Sequence, residues 1–154
     1  MIEIRKADQT DKETFEKVIN LRYEVLMAVN GLKSDIFDMD FKKTTNEYLH
    51  SGNQTTFFAT ENGVMLGCAT VCYITVMPTY DHPTGKRAHV MNVYVREGYR
   101  NRGIARQMMN EIVNDATEKG ITHISLDATE QGRPLYEKIG FKSTGEGMEM
   151  ILEK

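Results

Sequence analysis

The chain has 154 residues, of which 40% are hydrophobic and 27% are charged, the balance of an ordinary globular protein. Its length predicts a single domain over residues 1–154, and its formal net charge of -3 argues against nucleic acid bound across a basic face. No apolar run reaches membrane-spanning length and no signal segment opens the chain, so we expect a cytoplasmic protein without a membrane partner.

The first half of the chain predicts a strand, two helices and a hairpin. Apolar–polar alternation predicts the first strand. Apolar residues at helical spacing predict the first helix, which ends at Asn30-Gly31. The hairpin strands are joined by Asn62-Gly63, a pair of residues that favours a tight turn. In chain order, the predicted elements cover residues 2–5, 15–30, 41–50, 55–60 and 64–76.

The second half predicts a strand, a helix, a short strand, a short helix and a closing hairpin. Pro134 favours the first turn of the short helix, and Gly140 ends it. Strands and helices that follow one another in this order predict a mixed α/β fold around one central sheet. In chain order, the predicted elements cover residues 88–95, 103–119, 121–126, 134–139 and, for the closing hairpin, 141–143 and 148–152.

The turn that follows residues 88–95 carries the strongest functional signal. Arg100, Arg102 and Arg106 place three positive charges around the start of the next helix. The first amides of a helix have no internal partners, and Gly103 lets the backbone approach a ligand closely. A Walker-type loop and a dinucleotide fingerprint are both absent from the sequence. The pattern therefore predicts a site for a pyrophosphate group.

The sequence Arg100-Asn101-Arg102-Gly103-Ile104-Ala105, directly after a strand, resembles the acyl-CoA-binding motif of the GNAT superfamily of N-acetyltransferases. A second stretch, Leu135-Tyr136-Glu137-Lys138-Ile139-Gly140-Phe141, resembles a C-terminal segment of that family. The order of the predicted elements also resembles that of the family. The resemblance implies a central, mostly antiparallel sheet that is splayed at the cofactor site and flanked by about four helices.

The resemblance implies an enzyme that moves an acetyl group from acetyl-CoA directly to a primary amine. In the family, the tyrosine at the position of Tyr136 usually protonates the leaving thiolate, although most tyrosines are simply core or surface residues. Thr129 replaces an asparagine that often contacts the pantetheine arm. Because the histidines and cysteines lack metal-ligand spacing, we expect no metal. The implied acetyl-CoA contacts are Val93, Tyr94, Val95, Arg100, Asn101, Arg102, Gly103, Ile104, Ala105, Thr129 and Tyr136.

The general base is less well defined by the resemblance. Glu24 is our candidate, because the first helix borders the acceptor pocket in the family, and a solvated helix glutamate is the alternative. Asn92 is a candidate for binding the acceptor or ordering a water, and Asp127 and Glu130 are further candidates for the base. Many family members deprotonate the amine through water chains, so a single base need not exist.

The acceptor stays open between a polyamine, an aminoglycoside-like drug, an amino acid and a protein N-terminus. The acidic residues between 35 and 40 hint at a cationic acceptor, although a solvated loop also accounts for them. The alternative function is a non-catalytic domain that binds or senses acyl-CoA. The resemblance also extends to a narrower group of bacterial members, through Leu21-Arg22-Tyr23-Glu24 among other stretches. A homodimer is one option, because family members commonly dimerise.

Overall fold

The computed structural model describes residues 1–153, which form five strands and four helices. The mixed α/β prediction is confirmed, and the bounds of most elements lie within two or three residues of the predicted ones. In chain order the elements are β1 (Glu3–Lys6), α1 (Lys12–Val29), α2 (Met39–Leu49), β2 (Gln54–Glu61), β3 (Val64–Thr75), β4 (Lys86–Val95), α3 (Ile104–Glu118), β5 (Ile124–Leu126) and α4 (Arg133–Ile139).

Acidic side chains begin the first two helices. Asp11 accepts a hydrogen bond from the Thr14 amide at the start of α1. Asp38 accepts one from the Phe41 amide at the start of α2, with a donor–acceptor distance of 2.8 Å. A carboxylate at this position satisfies an amide that the helix itself cannot satisfy, and it also interacts favourably with the helix dipole. These carboxylates therefore have local structural roles.

The five strands form one sheet in the order β1-β2-β3-β4-β5. The first three pairings are antiparallel, and β4 pairs with β5 in parallel. The parallel pairing is short, because it ends at Val90 and Leu126 while β4 continues to Val95 along β3. Beyond Val90, the edge of β4 that faces away from β3 has no strand partner among residues 1–153. The predicted splay of the sheet is confirmed.

A bulge at Asn92 changes which face of the sheet the β4 side chains occupy. Asn92 has a φ of +62°, a left-handed conformation that asparagine tolerates better than most residues. Val90 and Val93 are an odd number of residues apart, yet both contact the cluster that packs against α3. The strict two-residue alternation of a strand would place them on opposite faces. The bulge thus turns the end of β4 relative to its beginning.

The sheet separates two helical layers. Phe57 and Phe58 are neighbours on β2, but Phe57 packs in the cluster of α3 and Phe58 in the cluster of α1. The α3 side holds the larger core, to which α3 contributes five buried residues. These residues are Ile104, Met108, Met109, Ile112 and Ala116. Hydrophobic burial on both faces holds the sheet in place and fixes the position of the first turn of α3.

The predicted closing hairpin is wrong. No residue from 140 to 153 belongs to a strand, and Met148 and Met150, within the predicted second strand of the hairpin, are 98% and 81% exposed. Apolar–polar alternation makes a strand only where a partner strand pairs with it and a core covers one face. The segment from 148 to 152 has neither, whereas Phe141 packs against Tyr136.

The predicted strand over residues 121–126 is shorter than expected. The Ile121 amide donates a hydrogen bond to the Ala116 carbonyl, which ties residue 121 to the end of α3. The strand therefore begins at Ile124. Cys68 and Cys72 are free and buried. Within residues 1–153, every helix is too short or too polar to cross a lipid bilayer.

Candidate active site

A cavity of about 430 Å³ opens between the end of β4, the first turn of α3 and the start of α4. It gathers residues that lie more than 40 positions apart in the chain. Every predicted cofactor contact lines it except Arg102. The lining residues that the sequence predicted are Val93, Tyr94, Val95, Arg100, Asn101, Gly103, Ile104, Ala105, Thr129 and Tyr136.

The first turn of α3 presents free amides to this cavity. Gly103 lies at the cap position with a φ of +76°, and no side chain caps the helix. The first turn also carries no acidic residue, so nothing in it repels an anion. A Cβ on Gly103 would meet no atom within 4 Å, so the space above this residue is open. The turn therefore has the geometry of an anion site at a helix N-terminus.

The three arginines of the turn have different surroundings. Arg100 and Arg106 line the cavity, and the Nε of Arg100 donates to the Val95 carbonyl at 2.9 Å. Arg102 instead forms an ion pair with Glu61, with an Nη2–Oε2 distance of 2.7 Å. Its pKa is raised by that hydrogen-bonded pairing. The side chain of Arg102 therefore serves the contact between the turn and β2, and two arginines supply positive charge to the cavity.

The open edge of β4 forms one wall of the cavity. Tyr94 and Val95 pair with β3 on one side, Val93 lies in the bulge, and none of the three has a strand partner on the other side among the described residues. The register irregularity between β3 and β4 falls beside the Asn92 bulge. Unpaired main-chain amides and carbonyls at the edge of a sheet can pair with an extended ligand. The wall is thus a place where a linear molecule could add to the sheet.

Tyr136 lies on α4 with its ring in the cavity wall. Burial raises the pKa of its hydroxyl above the ordinary value. Phe141 packs edge-on against the ring, with 6.0 Å between the ring centroids. A Cβ on Gly132 would lie 3.1 Å from Tyr136 Cε2, so the backbone of Gly132 also contacts the ring. These neighbours hold a protonated phenol at the cavity.

Thr129 has a structural role at the same wall. Its Oγ1 accepts a hydrogen bond from the Gly132 amide at 3.1 Å, in the turn that leads into α4. The O–H of the side chain is still a donor in this arrangement. The position thus keeps a polar group in the cavity lining where the sequence predicted one.

Glu24 does not line the cavity that contains Tyr136. Both of its carboxylate oxygens accept hydrogen bonds from Arg96, at 2.8 and 2.9 Å. The hydrogen bond from Arg96 lowers the pKa of Glu24, and burial opposes this shift only in part. Glu24 lines a different depression, beside β2 and α1, and not the cavity that contains Tyr136. The two predicted catalytic side chains therefore line different cavities.

The side chains of the other candidates, Asn92, Asp127 and Glu130, differ in their contacts and their exposure. Asn92 accepts a hydrogen bond from Arg22 at 3.2 Å and donates one to Thr70 at 3.0 Å, so its amide is fixed in place. The side chain of Asp127 is fully exposed and lies 3.8 Å from His89. Glu130 is also exposed. Neither carboxylate lines the cavity that contains Tyr136.

The sequence analysis missed four further residues of the cavity wall. Tyr99, Gln131, Gly132 and Leu135 line it beside the predicted contacts. Tyr99 is an aromatic residue within the basic turn, and that unusual position is a signal that could have identified it. Gln131 carries no such signal. Within residues 1–153, no group of three or more His, Cys, Asp or Glu side chains is placed to hold a metal ion.

Comparison with protein families and solved structures identifies similar proteins. The acetyltransferase (GNAT) family model matches residues 22–141. The structure resembles that of a predicted acetyltransferase from Clostridium acetobutylicum crystallised with acetyl-CoA, with a TM-score of 0.83 and 32% identity over 98% of this chain and 96% of that chain. A GCN5-related N-acetyltransferase from Ralstonia eutropha JMP134 has a TM-score of 0.79 and 27% identity over 98% and 99% of the two chains.

Curated relatives match over shorter stretches. Glucosamine 6-phosphate N-acetyltransferase from Trypanosoma brucei brucei is 26% identical over 90 residues, which are 58% of this chain and 59% of that protein. N-acetyltransferase 8 from Rattus norvegicus is 27% identical over 117 residues, which are 73% of this chain and 50% of that protein. The chain thus spans between half and three fifths of the length of these two relatives.

Proposed function

This chain belongs to the GNAT acetyltransferase family, and we propose that it transfers an acetyl group from acetyl-CoA directly to a primary amine. One observation carries the proposal. The uncapped first turn of α3, the open edge of β4 and the Tyr136 ring line the same cavity. An anion site, a wall that can pair with an extended chain and a proton donor are what acetyl transfer from a coenzyme A thioester requires.

The first turn of α3 would bind the pyrophosphate of coenzyme A. Amides of residues 102–105 would donate to its oxygens, and the guanidinium groups of Arg100 and Arg106 would add positive charge. Hydrogen bonds to a charged group are typically worth about 1.5–3 kcal/mol each, so a few of them would anchor the cofactor. These positive charges lie together in a chain whose formal net charge is -3.

The open edge of β4 would position the thioester. The pantetheine arm would pair with the main chain of residues 93–95 as an added strand, and the Val93 amide would donate to the thioester carbonyl oxygen. That oxygen gains negative charge as the amine attacks, so a fixed donor stabilises the transition state more than the ground state. The bulge at Asn92 supports this role because it frees the main chain at that point.

Tyr136 would complete the transfer. The amine nitrogen bonds to the carbonyl carbon, the carbon–sulfur bond breaks, and the thiolate takes the phenolic proton. Because burial raises its pKa, the hydroxyl is protonated at neutral pH and available as a donor. The amine would lose its proton to water, since Arg96 already holds Glu24 and lowers its pKa.

The Tyr136→Phe variant tests this proposal. Coenzyme A release over a panel of amines should fall about 100-fold or more in kcat, which is the usual worth of a positioned general acid, while acetyl-CoA affinity stays within a fewfold. The Phe141→Leu variant is the control, because it changes the packing of the ring without removing the hydroxyl. Unchanged turnover in Tyr136→Phe would exclude the tyrosine as the acid. Binding of acetyl-CoA without turnover of any amine would instead support the non-catalytic sensing domain.

A further inference from the structure

A second cavity, of about 280 Å³, lies on the face of the sheet that α1 and α2 cover. Asn92 lines this cavity, and its chain neighbour Val93 lines the one assigned to acetyl-CoA. Two adjacent residues of β4 thus line different cavities, with Asn92 beside α1 and Val93 against the α3 cluster. A small molecule in the second cavity would approach the main-chain segment that is proposed to hold the thioester.

One positive charge dominates the second cavity. Arg22 lines it, is half-buried, and donates to the Asn92 side chain at 3.2 Å. No carboxylate of the described residues lies within ion-pairing distance of this guanidinium. Burial lowers the pKa of Arg22, which is the direction expected for a cation that has lost water without gaining a counterion. A guanidinium in this situation favours an anion beside it.

The rest of the second cavity is mainly apolar. Phe41, Tyr48 and Met91 contribute to its lining although each is 38–44% exposed to solvent. Apolar side chains that stay exposed around a concave surface are typical of a binding site for a small molecule. The lining contains no acidic residue.

Two of the three acidic residues that hinted at a cationic acceptor are engaged elsewhere. Asp35 pairs with Lys42 at 2.7 Å, and Asp38 caps α2. None of the three, Asp40 included, lines the second cavity. The charge that an acceptor would meet there is therefore that of Arg22.

We propose that the second cavity binds the acceptor, and that the acceptor is an amine that also carries a carboxylate or a phosphate, held by Arg22. Its apolar portion would pack against Phe41, Tyr48 and Met91. The Arg22–Asn92 contact places the anion close to the bulge, so the anion and the amine would be only a few bonds apart. The inference rests on the proposed acetyl transfer and narrows its acceptor to an anionic amine.

The test compares amines that differ in one anionic group. The comparison of phenylalanine with phenylalaninamide tests for recognition of a carboxylate. The comparison of O-phosphoethanolamine with ethanolamine tests for recognition of a phosphate. We expect kcat/KM to favour the anionic member of at least one pair by about 10- to 100-fold, the scale of a charge-assisted contact. The pair that shows the larger ratio identifies which anion the enzyme uses.

The Arg22→Met variant should reduce the ratio of kcat/KM for the anionic amine to kcat/KM for its partner to near one, mainly by raising KM for the anionic amine. Lys17→Met is the matched control, because it removes one positive charge from the same helix at an exposed position. Acetyl-CoA affinity, measured by calorimetry on each variant, shows that the fold and the other cavity are intact. Two results would overturn the inference while acetyl transfer stands. One is a ratio of kcat/KM values that Arg22→Met leaves unchanged, and the other is a preference of the wild type for the amines without an anionic group.

A product-binding measurement covers the case in which no amine of the panel is turned over. N-acetylphenylalanine, its amide and N-acetyl-O-phosphoethanolamine are titrated into the coenzyme A complex. Binding of an anionic product that Arg22→Met abolishes supports the inference, and binding of neither anionic product overturns it. Failure of the wild type to bind acetyl-CoA at all would instead refute the proposed function.

Discussion

The backbone of Gly132 contacts the ring of Tyr136 so closely that a Cβ on residue 132 would lie 3.1 Å from Cε2. The same Cβ would lie 3.3 Å from Thr129 Oγ1. Gly132 has φ and ψ of -83° and -22°, which every residue type can adopt. The glycine is therefore required for the position of its neighbours and not for its own backbone conformation.

Gly132→Ala should displace the Tyr136 ring. We expect kcat to fall about 10-fold, since small displacements of a reacting group are costly, while the thermal midpoint changes little. Gly147→Ala is the matched control, because a Cβ there meets open space. Equal activity in the wild type and Gly132→Ala, with increased stability from the lower entropy of the unfolded chain, would show that the ring does not need this contact.

Glu24→Gln distinguishes an ion-pair partner from a general base. The Glu24 and Arg96 side chains are each more than one third exposed, so their pair should contribute at most about 1 kcal/mol to the free energy of unfolding. We expect kcat to stay within about threefold and the pH–rate profile to keep its shape, because the base role would be worth about 100-fold or more. Arg96→Gln should produce a similar loss of stability. If the acidic limb of the pH–rate profile were lost in Glu24→Gln and kept in Arg96→Gln, Glu24 would be identified as the general base.

Asp115 connects three elements of the core. Its side chain is 2% exposed and accepts hydrogen bonds from Tyr73, from Lys6 at 2.9 Å and from Lys119 at 3.0 Å. Burial alone would raise its pKa, but these hydrogen bonds together lower the pKa to about 2. The ionised form is thus more favourable in the folded protein than in the unfolded chain, where the pKa is about 4.

The stability that Asp115 contributes should depend on pH in the acidic range. Because the folded pKa is the lower one, the contribution is fully present above about pH 4 and is lost as the pH falls toward 2. Asp115→Asn should reduce the free energy of unfolding at pH 7 by about 2–3 kcal/mol and flatten its dependence between pH 4 and 2. Urea unfolding at each pH measures both effects. Asp127→Asn is the control, because that side chain is fully exposed, and an equal loss in the two variants would contradict this role.

Local features of the sequence were sufficient to predict the order of most elements and the turn at the start of α3. The signals were short-range: helical spacing, the Asn62-Gly63 turn, and a basic turn followed by Gly103. Asn62 and Gly63 have positive φ values, as the hairpin prediction required. The closing hairpin failed because its pattern depended on a partner strand that the local sequence does not specify.

Contacts between distant residues decided which side chains reach the cavities, and the sequence could not supply them. Arg102 forms an ion pair with Glu61, which is 41 residues away in the sequence, and Glu24 forms one with Arg96, which is 72 residues away. Arg22 was quoted only as part of a motif, since its missing counterion is visible only once the fold places α1 against β4. The bulge at Asn92 could have been predicted from the sequence, because asparagine tolerates a positive φ better than most residues.

Acetyl-CoA binding by calorimetry tests the central claim most directly, with Gly103→Glu compared with Gly120→Glu. The two glycines flank the two ends of α3, both have φ near +75°, and a Cβ on either meets open space, so the backbone strain is matched. We predict micromolar binding by the wild type, a loss of about 100-fold or more in Gly103→Glu, where a carboxylate would replace the phosphate, and nearly unchanged binding in Gly120→Glu. Equal affinities in the two variants, or no binding by the wild type, would contradict the assignment of this cavity to coenzyme A.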